Sequence, residues 1–124
     1  MATPCEQLEA LRSLAENWDG YNAASPQADL FDLAQELVGL IEAMLTKRGD
    51  VDCALQVSPT RVGGILIEWE TKIMEHEVEI DPDRSISFLH HDKSTSQIET
   101  RKLSPEQVVV QPGFLHELRR LMAA

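Results

Sequence analysis

Basic side chains are scarce in this sequence. Its 124 residues carry 11 Lys and Arg against 21 Asp and Glu, a formal net charge of -10. Phosphate recognition needs a cationic footprint, so direct nucleic-acid binding is not expected. Cysteine is sparser still, with only Cys5 and Cys53. Small secreted scaffolds carry more cysteines at paired spacings, so both are expected to be reduced thiols in a cytosolic protein. Neither has the neighbours that activate a nucleophile, and Cys53, alternating with Leu55 and Val57, reads as a small buried hydrophobe. No apolar run approaches the roughly 18 residues of a membrane helix, and the N-terminal residues lack the basic start and apolar middle of a signal peptide. A cytoplasmic protein without membrane contact is the expectation. Internal repeats, low-complexity segments and linkers are missing too. At 43% hydrophobic and 26% charged residues, the chain is not of the disordered class, and its length suits one domain with its own core. Residues 1–124 are therefore expected to form a single α+β domain.

The order of elements is readable from hydrophobic periodicity. Thr3-Pro4-Cys5-Glu6 has the form of a capping box with proline at the first helical position. Leu8, Leu11, Leu14 and Ala15 follow at helical spacing, and the pattern stops at Asn17. A turn is expected at Trp18-Asp19-Gly20-Tyr21. Ser25-Pro26 then opens a second helix, whose apolar stripe runs from Leu30 and Phe31 through Leu37 and Ile41 to Leu45. Lys47, Arg48 and Gly49 are its stop signals. From Val51 the period changes to two. Cys53, Leu55 and Val57 mark a strand, residues 59–64 a loop, and residues 65–80 a hairpin. With a two-residue Thr71-Lys72 connection, Trp69 faces Met74 and Glu68 faces Glu75. Ile65, Ile67, Trp69, Met74, His76, Val78 and Ile80 then share one face, and Leu66, Glu68, Glu70, Ile73, Glu75, Glu77 and Glu79 share the other. A one-residue slip would misplace every side chain, so this sorting supports the assignment of faces. A turn over residues 81–85 places His90 across from His76, and a weaker strand spans about residues 97–102. Ser104-Pro105-Glu106-Gln107 repeats the capping-box logic, and Phe114, Leu115, Leu118, Leu121 and Met122 suggest a last helix. The expected fold is thus α+β: two N-terminal helices, a four- to five-stranded antiparallel meander with helices on one face, and a C-terminal helix.

The run Asn17-Trp18-Asp19-Gly20-Tyr21-Asn22-Ala23 followed by Ser25-Pro26 resembles a motif of small uncharacterised bacterial proteins, in which N-W-D-G-Y-G-A precedes a proline-initiated helix. A strand like Gly63-Gly64-Ile65-Leu66-Ile67-Glu68-Trp69 and an acidic strand like residues 75–81 follow in that group. The likeness covers roughly residues 8–83. Asn22 stands where the group has glycine, and asparagine also tolerates the left-handed backbone region. The resemblance implies a bacterial or phage setting and a shared fold, and it supplies no activity.

Three groups of residues could carry function. Trp18, Asp19 and Tyr21 read either as an aromatic clasp between the two helices, with Asp19 capping local amides, or as an exposed recognition loop. Glu68, Glu70, Glu75, Glu77 and Glu79 lie on one strand face. Between residues 68 and 83 there are seven acids and Lys72 as the one base. Such a face either keeps a sheet soluble or docks a basic protein surface, with Leu66 and Ile73 as apolar contacts open to a partner or a second copy. His76 and His90, with His91 or Asp92, form a weak zinc-like set without ligand spacing. Alternating strand glutamates rarely converge on one ion, and no nucleophile elbow, dinucleotide loop or metalloprotease motif occurs. No cofactor is expected. The preferred reading is a non-catalytic acidic binding module of bacterial or phage origin, such as an inhibitor, antitoxin, immunity or anti-defence protein, or an adaptor. The alternative is a small metal-dependent or hydrolytic enzyme using His76, His90 and nearby acids.

Overall fold

A computed structural model describes residues 3–48 and 54–106 of the chain. Helix α1 spans Pro4–Leu11. Its capping box forms as expected: the Glu6 amide donates to Thr3 Oγ1 at 3.1 Å, and the Thr3 amide donates to Glu6 Oε1 at 3.4 Å. Such a cap contributes about 1 kcal/mol. The helix buries Leu8 and Leu11 and stops there, earlier than the spacing of Leu14 and Ala15 suggests. Beyond it the Leu14 amide donates to the Leu11 carbonyl at 3.2 Å and the Asn17 amide to the Ala23 carbonyl at 2.8 Å, and Asn17 adopts a positive φ of 62°.

The second helix also starts later than expected. A 3₁₀ turn covers Ala28–Leu30, and α2 runs over Phe31–Arg48. Ser25 does not cap it, because its hydroxyl donates to Glu16 Oε1 at 3.0 Å. Its neighbours are tied to the loop before β2: the Ala24 amide donates to the Arg61 carbonyl at 2.8 Å, and the Gln27 amide to Gly63 O at 3.0 Å. The Arg12 guanidinium lies 4.4 Å from the centre of the Phe31 ring and joins the end of α1 to the start of α2.

Five strands follow: β1 (Gln56–Pro59), β2 (Ile65–Glu70), β3 (Met74–Ile80), β4 (Ile86–Asp92) and β5 (Ile98–Leu103). They form an antiparallel meander in sequence order. Leu8, Leu11, Leu30, Phe31, Leu37 and Ile41 join Ile65, Ile67, Val78, Ile80, Ile86 and Phe88 in one contiguous core. The helices therefore cover one sheet face, and each fully buried side chain of this size contributes roughly 1.5–3 kcal/mol. The expected last helix and Cys53 lie outside the described residues, which end with Pro105 and Glu106 in helical backbone.

The β2–β3 register corrects one expectation. Trp69 faces His76, and Glu68 faces Glu77 rather than Glu75, which faces Glu70. Thr71 belongs to the ladder: its amide donates to the Met74 carbonyl at 2.8 Å, and its hydroxyl accepts from the Met74 amide at 3.1 Å. The two-residue tip is thus Lys72-Ile73. Moving a tip by one residue shifts each pair by two, so every side chain in the ladder keeps its expected face, while Ile73 moves from the strand into the tip. The next turn agrees with expectation, because Ile80 faces Ile86 and His76 faces His90.

Gly63 and Gly64 close the β1–β2 connection for two separate reasons. Gly63 has a φ of +88°, and a Cβ on Gly64 would collide with the Ile80 carbonyl oxygen and lie 2.9 Å from Thr60 Oγ1. The backbone of β3 cannot yield without opening its own ladder. Gly64→Ala is expected to cost about 1–3 kcal/mol in urea denaturation.

Candidate functional site

Alternation along the strands sends the second set of side chains to the face opposite α1 and α2. There the ladder lines up Gln56, Glu68, Glu77, Leu89 and Thr100 in one row. Glu70, Glu75, His91 and Ile98 form the next row, and Ser58, Leu66, Glu79, Ser87 and Lys102 a third. All five glutamates expected on this face are on it. An open depression of about 530 Å³ lies over Gln56, Glu68, Glu70, Glu75 and Glu77, with Ala54, Trp69 and His76 completing its lining.

The basic side chains that approach these acids sit at the edges of the array. Lys93 Nζ lies 2.9 Å from Glu70 Oε2, His91 Nδ1 lies 3.6 Å from Glu75 Oε2, and Lys102 Nζ lies 3.7 Å from Asp81 Oδ2. Among the described residues no cation pairs with Glu68 or Glu77, which face each other at the centre. Glu79 takes a proton more readily than an ordinary glutamate. Its hydrogen bond to Asp81 is the leading cause, followed by partial burial and the charges of Asp81 and Glu77, with Lys102 opposing. Of the apolar residues expected here, Leu66 is half-buried, while Ile73 at the hairpin tip is 60% exposed.

The Trp18 loop is built largely from its own polar groups. Asp19 Oδ1 accepts from the amides of Tyr21 at 2.8 Å and Ala23 at 3.1 Å. Trp18 Nε1 donates to the Ala24 carbonyl at 2.8 Å, and the Asn22 amide donates to Asn17 Oδ1 at 2.7 Å. Asn22 has a φ of 65°, so it takes the left-handed conformation open to asparagine. Arg61 completes the loop: its Nε donates to Asp19 Oδ2 at 2.8 Å and its Nη2 to the Tyr21 carbonyl. Burial works to raise the Asp19 carboxyl. The two amides and the Arg61 guanidinium outweigh it and hold the group below the ordinary aspartate value. Trp18 and Asp19 are thus committed to the loop's own geometry, and Tyr21 projects outward at 77% exposure.

The histidines divide between the two faces. His76 and His90 meet in the core, each 2% exposed, with Nδ1 against Nδ1 and ring centres 4.6 Å apart. Trp69 stacks on His76 at 5.0 Å. His91 is on the glutamate face, and Asp92 is occupied in the β4–β5 turn, where it accepts from Ser94 N and Oγ at 2.9 and 2.7 Å. The pair comes together as the strand spacing implies, but His91 and Asp92 do not join it. Among the described residues no group of three or more His, Cys, Asp or Glu is placed to hold a metal ion. No helix there is long and apolar enough to cross a membrane.

Sequence reasoning missed Arg61, because a lone arginine 42 residues from Asp19 carries no local signal. It also missed the Glu79–Asp81 contact, although two acids at alternate positions entering a turn are a usable sign. Comparison with known proteins finds no match to the chain among family models, curated proteins or solved structures.

Two substitutions test these electrostatics. Asp19→Asn removes the charge of a carboxylate whose folded-state affinity for protons is depressed, and leaves one acceptor oxygen in place of two. The wild-type advantage should be complete above the ordinary aspartate value and should vanish as pH falls through the lower folded value, so the two stability curves converge in acid. Urea titrations across the acid range read this directly. Glu79→Gln keeps a donor for Asp81 without the charge, and is expected to stabilise the protein by a few tenths of a kcal/mol at neutral pH after solvent screening. That gain should shrink as pH falls through the raised Glu79 value.

Proposed function

We infer that this chain is a non-catalytic binding module that docks a basic patch of a partner protein on its glutamate face. The observation carrying this reading is the Glu68–Glu77 pair. Like charges placed directly across a ladder cost about 0.2–1 kcal/mol, and among the described residues no cation pairs with either of these two and no helix covers their face. A solubility role does not require glutamates to oppose one another, whereas a Lys- or Arg-rich partner would turn the repulsion into attraction on binding. The -10 net charge would steer such a partner from a distance, and Ile73 supplies an apolar contact at the rim. A cytosolic inhibitor, antitoxin, immunity or anti-defence protein of bacterial or phage origin, or an adaptor, fits this chemistry. An inhibitor of this kind could mask the cationic surface of a nucleic-acid-binding protein without contacting nucleic acid.

Glu75→Lys/Glu77→Lys and the control Asp32→Lys/Glu42→Lys change the net charge equally. Binding of a fluorescent Lys/Arg-rich peptide, followed by anisotropy, should weaken by about tenfold or more in the face variant. It should weaken far less in the helix variant, and wild-type affinity should fall as salt rises. Equal losses in the two variants would mean that only bulk charge matters, and would overturn the docking face.

A further inference from the structure

The two edges of the sheet are finished differently. At β1, the Thr60 amide donates to the Gly64 carbonyl at 3.1 Å. Alternation then turns the backbone of Gln56 and Ser58 toward β2, and that of Val57 and Pro59 away from the sheet. The Val57 amide donates to Gln7 Oε1 of α1 at 2.7 Å, and Pro59 has no N–H. Neither outward position of β1 has a donor to offer.

β5 is the opposite case. The Asp92 amide donates to the Gln97 carbonyl at 2.9 Å, so alternation turns the N–H and C=O groups of Ile98, Thr100 and Lys102 away from β4. Among the described residues no strand pairs on that side. Every residue of β5 except Leu103 is exposed. Glu99 and Arg101 point to the face that carries the helices, opposite His90 and Phe88.

We propose that β5 is a self-pairing edge whose occupant is the β5 of a second copy of this chain. The copies meet antiparallel about a two-fold axis through Thr100 and extend each five-stranded sheet into the other. The register follows from the outward groups, because Ile98, Thr100 and Lys102 must pair among themselves. Centred on Thr100, threonine faces threonine and Ile98 faces Lys102. Glu99 of each copy then faces Arg101 of the other at the closely spaced, non-hydrogen-bonded positions. Opposite charges there are favourable and like charges are not. A shift in one direction sets Glu99 against Glu99, and a shift in the other sets Arg101 against Arg101, so one register is selected. The strand holds Arg101 and Lys102 against Glu99 as its one acid.

Sedimentation of the full chain over a concentration series, without any basic partner, tests this independently of the docking face. Reversible dimer formation is expected. Thr100→Pro removes an N–H that points out of the sheet and spares the β4 ladder, and it should leave monomer. Glu99→Arg should weaken the dimer by about tenfold, and adding Arg101→Glu should restore it, because the exchanged charges meet in the same register. Circular dichroism checks that each variant is folded. Monomer at every concentration, a dimer that survives Thr100→Pro, or a failed charge-swap rescue would overturn the proposal.

Discussion

A strand shows its side chains to two sides in turn, and here one of those sides is claimed by helices. Leu30, Leu37 and Ile41 from the helical layer meet Ile67, Val78 and Phe88 in a single core, and almost every other property depends on that contact. Register is held because any odd slip would bring glutamates under α2. The polar side chains are held on the far face by the same rule, so the crowding of Glu68, Glu70, Glu75, Glu77 and Glu79 is enforced by packing behind them. Their mutual repulsion is small beside the burial of the hydrophobic side chains on the other face.

The core also takes in polar groups that meet one another. His76 and His90 are as deeply buried as many of the aliphatic residues, and they do so as a facing pair flanked by Trp69. Imidazoles that meet Nδ1 to Nδ1 form a hydrogen bond when one nitrogen donates and the other accepts, so the two rings play unlike roles in that contact. The Trp18 loop follows the same economy of form at the surface, with Asp19, Asn17 and Arg61 binding backbone groups that no helix or strand supplies with partners.

What could be read from the sequence was governed by range. The capping box at Thr3 and the stripe of α2 are local patterns. The faces of β2 and β3 and the meeting of His76 with His90 follow from period two plus one turn length. The exact tip of the β2–β3 hairpin was not legible, because tips at Thr71-Lys72 and Lys72-Ile73 sort the side chains identically. The hydroxyl and amide of Thr71 decide between them. The late start of α2 was hidden for another reason: Ser25-Pro26 looks like a start signal, but tertiary hydrogen bonds to Arg61 and Gly63 hold Ala24 and Gln27 in an extended path. At the candidate site, the five glutamates were legible as a set, while Lys93, which pairs with Glu70, and Lys102, which pairs with Asp81, come from a turn and a strand whose placement no short pattern specifies.

The contact between Gln7 and Val57 looks minor, one side-chain oxygen on one amide. Together with Pro59 it leaves the first strand unable to accept a neighbour. A sheet sealed on one border has a valence of one for strand addition. Copies joined through their other borders have nothing left with which to recruit a third. Edge-to-edge growth therefore terminates as a closed pair instead of propagating into a filament.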